Sequence, residues 1–556
     1  MERLRPTFES PHARHWRRRG GPWDTGDLNA LSPAGGNGDG AGHLALVDGE
    51  VRLDARQLGA LVDEIAGRML QAGARRGDVV AWQLPNCASA SLLFWACWRI
   101  GAIAAPLHRR LGTAEVVGAL GQIEPRIVLA AEGLTVAEID GALVLSGDLG
   151  PGRLLSSLTA LPPRSPSPAL RSSSQFRRSS SSRLPEAPGQ RSSDIAAVLF
   201  TSGSSGVPKA VLHTHRGLAY KARLMARVHG LSEGDAVLAP APLGHVSGLL
   251  NGVLISAALH SACVLIDPWD PERALQLIEH ERIAFMGAPP IFFSQMAGLA
   301  AFSRERVQTL RLISTGGASV SPAFVDVTAD AYGCRVKRTY GSTEAPTVTT
   351  SGPSDPLERA RDTDGHPVGE AEVEIHDPVD SSHLPPERVG EIWIRGPELF
   401  VGYADPVSTA SVIARPGGWY RSGDLGSLDA EGWLRVTGRL SDTIIRAGEN
   451  ISASEVEAVL ESHPAVRNAV AVPVPDPKVG ERVAAFVVAS GNFGLDECRE
   501  WFAERGITRF KTPELVIPLE EIPTLAAGKP DRAALKAAAT EHASRMDVGP
   551  TGAPRT

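Results

Sequence analysis

The chain has 556 residues, more than one growing hydrophobic core accommodates, so two or more domains are expected. Its 43% hydrophobic and 21% charged residues are ordinary for a globular chain, and a net charge of −7 argues against nucleic acid as the main partner. The five cysteines (Cys87, Cys97, Cys263, Cys334, Cys498) show no CxxC and no metal-type spacing, which points to free thiols in a reducing compartment rather than disulfides or zinc.

The first twenty residues carry Arg3, Arg5, Arg14 and Arg17 to Arg19 with no apolar segment behind them, so no secretory signal is read and a cytoplasmic protein is expected. A Gly-rich approach leads to Leu44–Leu53, which suits a hairpin around Asp48-Gly49. Asp54 can cap a helix whose Leu58, Leu61, Val62, Ile65 and Met69 share one face and which Gly73 stops. Val79–Leu84 reads as a buried strand. The apolar run Ala88–Leu107 is broken by Arg99 and closed by Pro106, so it is read as a buried helix and not as a membrane span. Helix and strand alternate through Thr113–Leu120 and Ile127–Ala130, the pattern of an α/β domain with a largely parallel sheet.

Residues 164–193, rich in serine and arginine, offer almost nothing to bury and read as a disordered surface loop. The apolar run Ile195–Phe200 then enters Leu199–Val211, LFTSGSSGVPKAV. Here the glycines, the hydroxyls of Thr201, Ser202, Ser204 and Ser205, and Lys209 could cradle a phosphate chain. The spacing Gly203-x-x-Gly206-x-x-Lys209 is not that of a P-loop NTPase, and taken alone the stretch is equally a plain turn. Further strands are expected at Val237–Ala239, Cys263–Ile266, Ala284–Ala288, Leu310–Ser314 and Val336–Thr339. Glu372–Ile375 and Glu391–Arg395 alternate polar and apolar, as half-exposed antiparallel strands do. From Gly438 a small α+β segment is expected, with Ser452 and Glu455 as the capping box of a helix through Leu460, strands at Asn468–Val472 and Val483–Val488, and a helix beginning at Asp531–Lys536.

Small polar residues with one charge collect after the strands, in Ser314–Ser319 (STGGAS) and Thr339–Glu344 (TYGSTE), where open α/β sheets bind ligands. A carboxylate such as Glu344 beside a phosphate loop suits Mg²⁺. Tyr340 offers a flat ring to a purine. Asp424, within YRSGDL, can accept both hydroxyls of a ribose.

With these motifs in order, the chain resembles the adenylate-forming superfamily of acyl-CoA synthetases, nonribosomal-peptide adenylation domains and firefly-type luciferases, closest in look to acyl- or aryl-CoA ligases. TSGSSGVPKA resembles the family's TSG[ST]TGxPKG loop, with Ser205 for Thr and Ala210 for Gly. GGAS (Gly316–Ser319), YGSTE (Tyr340–Glu344), GEIWIRGPELFVGY (Gly390–Tyr403), YRSGDLG (Tyr420–Gly426), GRLSDTIIRAGENIS (Gly438–Ser452) and IPTLAAGKPDRAAL around Lys529 follow in family order. The resemblance covers about residues 40–540.

The resemblance implies an α/β fold. A large domain, 1–440, would hold mixed, mostly parallel sheets flanked by helices plus a small β-rich part. A small mobile α+β domain, 441–556, would follow a hinge at Ser441, where the family usually has Asp or Lys. It implies ATP, Mg²⁺ and CoA as cofactors. Catalytic roles fall to Lys529, Glu344, Thr201 and His245, with the metal at Glu344. Nucleotide and pantetheine contacts fall to Thr201, Ser202, Gly203, Ser204, Ser205, Gly206, Lys209, Gly317, Ala318, Thr339, Tyr340, Gly341, Ser342, Thr343, Asp424, Arg439, Ala447, Gly448 and Glu449. Ala447 replaces a common glycine, so a φ that suits alanine is expected there. His245, within APLGHVSG, corresponds to a histidine bordering the acyl pocket of acyl- and aryl-CoA synthetases. The aspartate with which amino-acid-activating relatives pair an ammonium group is missing, so a fatty or aryl acid is preferred. No carrier-protein segment follows Lys529, so the acceptor thiol is expected in trans: CoA, or alternatively a separate carrier protein. A catalytically silent acyl-AMP binder is disfavoured by the presence of Lys529, Glu344 and Asp424. Nothing specific supports a luciferase-like oxygenase.

Overall fold

Asp54 shows how local chemistry starts an element here. Its carboxylate accepts from Gln57 N at 2.7 Å, and the Gln57 side chain accepts from Asp54 N at 2.9 Å, a reciprocal box that opens the helix Ala55–Gln71. Leu58, Val62, Ile65 and Met69 of that helix are buried, as their spacing requires. The computed structural model describes every residue except 1–3, 19, 25, 33–41, 139–141, 146, 148, 160–189, 202–207, 319, 415–416, 448, 492, 525–529 and 548–556. The Ser/Arg-rich stretch therefore falls outside the described residues but for its last four positions.

The expected hairpin forms from Leu44–Asp48 and Val51–Asp54, with its turn one residue later than expected. Asp48 pairs with Val51, so Gly49-Glu50 make the turn and Gly49 takes φ +55°. Glycine supplies the positive φ that the first turn position demands. The Asp48 carboxylate is used elsewhere, accepting from Ala88 N at 2.8 Å at the start of the helix Ala88–Arg99. That helix is buried along its whole length, with Arg99 paired to Asp63 at 3.0 Å, and the strand Ile103–Leu107 follows it. Among the described residues no helix is long and apolar enough to cross a membrane.

The chain divides into two compact units, residues 1–372 with 394–420, and residues 373–393 with 421–556. The first unit holds two large sheets. One runs in the order Leu143–Leu145, Ile127–Ala131, Val79–Gln83, Ile103–Leu107, Ile195–Thr201, Lys209–Thr214, parallel throughout except for the last pair. The other runs His366–Pro367, Thr349–Thr350, Arg335–Tyr340, Leu312–Gly316, Phe285–Ala288, Val237–Ala239, Cys263–Leu265, Leu44–Asp48, Val51–Asp54, with six parallel strands at its centre. In sequence, Val237–Ala239 is followed by Cys263–Leu265 on one side and Phe285–Ala288 on the other. The topological switch point, where ligands of open α/β sheets bind, therefore lies between Val237–Ala239 and Phe285–Ala288.

In the second unit, residues 390–393 of the strand Gly390–Arg395, residues 421–428 of Trp419–Leu428 and the strand Leu434–Arg439 lie side by side. A second sheet runs Glu449–Ser452, Thr443–Arg446, Gly480–Ala489, Val466–Asp476, with Leu515–Pro518 parallel to Gly480–Ala489. Apolar clusters pack on it: Val456, Leu460, Val483 and Phe502 in one, and Val470, Phe486, Leu535 and Ala539 in the other. The capping box expected at Ser452 and Glu455 is half made. Ser452 Oγ accepts from Glu455 N at 3.4 Å and donates to Thr437 O at 2.6 Å, while Glu455 Oε1 is taken by Lys511 Nζ at 2.6 Å. The expected α/β architecture is thus observed, with some strands longer than expected (Val466–Asp476, Gly480–Ala489) and others shorter or shifted (Cys263–Leu265, Phe285–Ala288, Leu312–Gly316), and with Gly390–Arg395 buried along nearly its whole length rather than half-exposed.

Candidate active site

The carboxyl ends of two neighbouring parallel strands form one wall of the site. Gly316 pairs with Thr339, and a Cβ on Gly316 would stand 2.3 Å from Thr339 O, so only glycine lets the strands close there. Gly317 follows with φ +74° and open space where a Cβ would be, and Ala318 is exposed beside it. After Tyr340 the chain turns tightly. A Cβ on Gly341 would lie 2.4 Å from Thr347 N, Ser342 N donates to Ala345 O at 2.9 Å, and Ala345 N donates to Ser342 Oγ at 3.2 Å. This turn places Thr343 and Glu344, both buried, at the end of the sheet.

Glu344 is held from two sides. Phe400 N donates to its carbonyl at 2.8 Å, and the Tyr403 hydroxyl donates to its Oε1 at 2.8 Å. Burial above all, and then the Glu344 charge, push the Tyr403 hydroxyl up, so it stays protonated and remains a donor. Lys209 Nζ lies 5.2 Å from the centre of the Tyr403 ring, a cation over an aromatic face. Tyr403 is delivered by the segment 401–404, which pairs with the strand Lys209–Thr214 through Val401 N to Leu212 O (2.9 Å), Leu212 N to Gly402 O (3.0 Å) and Ala404 N to Ala210 O (2.9 Å). A buried ion pair, Lys221 Nζ to Glu398 Oε1 at 3.1 Å, anchors the start of that segment.

The strand Lys209–Thr214 organises this wall. The phosphate-type loop joins it to Ile195–Thr201 as an antiparallel pair, with Thr201 opposite Lys209. Lys209 and His213, four residues apart on a strand, face the same side. His213 Nε2 lies 2.8 Å from Thr343 O, and burial holds the imidazole down to about 4. A neutral ring against a carbonyl must donate, so Nε2 carries the proton. His213, Tyr403 and Phe400 were not singled out from the sequence. Tyr403 ends the quoted Gly-Tyr motif, and the alternation of the strand after Lys209 was the available signal for His213.

His245 is half-buried just beyond the switch point, where it caps a short helical turn. Ser247 N donates to its Nδ1 at 3.2 Å, and Ser247 Oγ lies 2.7 Å from the same atom. Tyr340 is buried, with 9% of its surface exposed. In the second unit, Asp424 and Arg439 face each other across an antiparallel pair, with Oδ1 to Nε at 3.0 Å. Asp424 N donates to Ser422 Oγ at 3.0 Å, and that hydroxyl donates to Ile392 O at 2.7 Å, which fixes the buried carboxylate from behind. Ala447 departs from expectation. It sits at φ +50°, a left-handed conformation that costs a residue with a Cβ, because the two-residue turn between Arg446 and Glu449 requires it. Its N–H donates to Val479 O at 2.7 Å, which holds the turn in place. Glu449 begins the return strand and is exposed.

Ser202, Gly203, Ser204, Ser205, Gly206, Ser319, Gly448 and Lys529 lie outside the described residues. The structure thus brings Thr201, Lys209 and the Gly317–Ala318 and Thr339–Glu344 strand ends together within the first unit, and pairs Asp424 with Arg439 within the second. Among the described residues no three His, Cys, Asp or Glu side chains converge as a metal set. The acidic group that does stand ready is the single carboxylate of Glu344, which fits a Mg²⁺ that takes most of its oxygens from phosphate and water.

Comparison with known proteins bears on the family and the fold. The family model described as AMP-binding enzyme matches residues 37–404, and the AMP-binding enzyme C-terminal domain matches 455–529. The chain is 33% identical over 471 residues to the medium-chain fatty-acid–CoA ligase of Escherichia coli (strain K12), covering 84% of this chain and 82% of that one. It is 32% identical over 524 residues to the 2-hydroxy-7-methoxy-5-methyl-1-naphthoate–CoA ligase of Streptomyces carzinostaticus, covering 89% and 90%. Its fold is similar to that of ATP-bound MatB from Rhodopseudomonas palustris, with a TM-score of 0.81 at 22% identity over 93% of this chain and 100% of that one.

Proposed function

Because the chain belongs to the AMP-binding enzyme family, the adenylate-forming ligases, we propose that it activates a fatty or aryl carboxylic acid with ATP and passes the acyl group to CoA. In the first half-reaction a carboxylate oxygen attacks the α-phosphorus. The new O–P bond forms as the α–β bridging bond breaks, and pyrophosphate leaves. In the second, the CoA sulfur, as thiolate, attacks the acyl carbonyl and AMP leaves.

The observation that supports this most is the double restraint on Glu344 by Phe400 and Tyr403, beside a Lys209 that shares the Tyr403 ring. When bound, Mg²⁺ at Glu344 would neutralise phosphate charge. Thr201, Lys209 and Ser202–Gly206 would hold the phosphates, with Gly341–Thr343 and Thr339 lining the same wall. Gly317, Ala318 and Tyr340 would border the adenine, and His245 the acyl group. Asp424 would accept the ribose hydroxyls with Arg439 alongside. Lys529 would bridge the carboxylate and the α-phosphate, bringing two anions together, so the rate comes mainly from positioning and electrostatics. For the thioester step, the turn at Ala447, Gly448 and Glu449 would meet the pantetheine after rotation of the small domain, 441–556, about Ser441, a small residue able to absorb a backbone change.

Pyrophosphate release over a panel of carboxylic acids, each with and without CoA, tests this reading. Acid-dependent release with CoA thioester formation is expected. Release without a CoA thioester would transfer the reading to a carrier-protein acceptor, and no release would leave a silent nucleotide binder. Lys529→Ala should lose nearly all release while keeping ATP binding; release at the wild-type rate would remove Lys529 from the chemistry.

A further inference from the structure

The segment after the switch point, Gly248–Ile255 (GLLNGVLI), is apolar but for one residue. Leu249–Leu254 form a π-helical turn, a geometry found often at functional sites, and every residue in it is buried except Asn251. Two glycines press this turn against the preceding strand and loop. A Cβ on Gly248 would fall 2.1 Å from Pro242 O, and one on Gly252 would fall 2.8 Å from the Ala239 Cβ. A third glycine makes room across the crevice: a Cβ on Gly287 would stand 2.8 Å from Asn251 Nδ2. The carboxamide therefore spans the switch point and rests over the Gly287 backbone. Gly287 and Ala288 pair with Ser314 and Thr315, one step short of the Gly316–Thr339 wall.

Asn251 is half-buried there with its polar atoms open to the crevice, and among the described residues none hydrogen-bonds its carboxamide. Ser247, one helical turn earlier, lies on the same face with its hydroxyl on His245. Solvent reaches the carboxamide in the open crevice, and a bound hydrocarbon that displaces that water would leave it unpaired, whereas a ligand with a polar group would complete it. A leucine would fill the wall at no such cost if only hydrocarbon entered.

We propose that Asn251 selects an acid whose acyl part carries a hydrogen-bonding substituent, a hydroxyl or an oxo group, over the plain hydrocarbon acid. This rests on the acid-activation reading above. A site built to pair a polar group discriminates strongly against the analogue that lacks it, because the protein group is then left unpaired. Ser247 and Asn251 are donor–acceptor groups, so both kinds of substituent can be read; the neighbouring Leu249, Leu250 and Val253 supply the apolar remainder.

The test is acid-dependent ATP–pyrophosphate exchange with octanoate against its positional hydroxy and oxo derivatives, and with benzoate against the hydroxybenzoates. Wild-type protein should favour the best substituted acid over its parent by about tenfold or more in kcat/KM. Asn251→Leu and Asn251→Ala should reverse or erase that ratio, the parent acid gaining as the substituted one loses. The smaller Ala variant serves if Leu does not fold, as judged by thermal melting. A wild-type preference for the parent at every position, or a ratio unchanged in the folded variants, overturns the assignment to Asn251 while leaving acid activation standing. Absence of exchange with every acid overturns the activation reading itself, and this inference with it.

Discussion

The Tyr403 hydroxyl is the residue-scale feature with the clearest chemical consequence. It donates to Glu344 at 2.8 Å, and its ring lies under the Lys209 ammonium, so one side chain orients both an anion and a cation in the wall of the site. Tyr403→Phe keeps the ring and removes only the donor. A hydrogen bond to a charged group contributes about 1.5–3 kcal/mol, so adenylation should fall by about tenfold or more. The half-saturating Mg²⁺ concentration should rise, while the KM for the acid stays unchanged. Titrating Mg²⁺ in the pyrophosphate-release assay checks this. An acid KM that rises while the Mg²⁺ dependence is unchanged would place Tyr403 in the acyl pocket instead. His213 acts one residue away, on the Thr343 carbonyl, so the loop carrying Glu344 is restrained through backbone as well as side chain.

At the scale of elements, the turn at Ala447 carries a visible cost. Alanine at φ +50° forfeits what glycine has without strain, on the order of 1 kcal/mol, and the Arg446–Glu449 pairing leaves the turn no other shape. Ala447→Gly should therefore stabilise the second unit by about 1 kcal/mol, less the extra freedom glycine has when unfolded. Slower hydrogen exchange in the strands Thr443–Arg446 and Glu449–Ser452 would register the gain; faster exchange would show that the alanine is accommodated without strain. The same hairpin marks the boundary of what the sequence makes legible. Local chemistry was readable: the Asp54 box, the buried run Ala88–Arg99, the parallel strands and the polar loops at their ends. These depend on neighbours within a few residues. Partnerships made at a distance were not readable. Tyr403 reaches Glu344 across 59 residues and His213 reaches Thr343 across 130, and no periodicity records which side chains meet when separate elements pack. Competition between partners also escaped the sequence, as when Lys511 draws Glu455 away from the cap it was spaced to complete.

At the scale of the whole chain, the first unit buries imidazoles in a way that ties its stability to pH. Burial holds His108, His213 and His215 down to about 4, with Arg110 and Arg109 adding to the effect at His108 and the acidic Asp27 and Asp194 opposing it at His215. His229 is held well below the ordinary value by burial and by the charges of Lys337 and Lys221. In the unfolded chain these rings titrate near 6.5. Between about 6.5 and 4 the unfolded state therefore binds protons that the folded state refuses, and stability falls as the pH falls. Each ring contributes up to about 1.4 kcal/mol per pH unit within that window, and nothing above it, where both states are neutral. The urea midpoint should accordingly drop from pH 6.5 to 5.5, before most carboxylates begin to titrate and against the smaller opposing gain from Glu457, whose carboxyl burial pushes up to about 7; a fall between pH 8 and 7 belongs to Lys337, which burial holds down to about 7. His213→Gln keeps an amide donor that can reach Thr343 O and removes one titrating ring, so its midpoint should fall less steeply over the same interval. A wild-type midpoint that holds constant down to pH 5.5 would mean that these rings reach water in the folded state, and with it the rigid seating of the Glu344 loop on His213 would have to be abandoned.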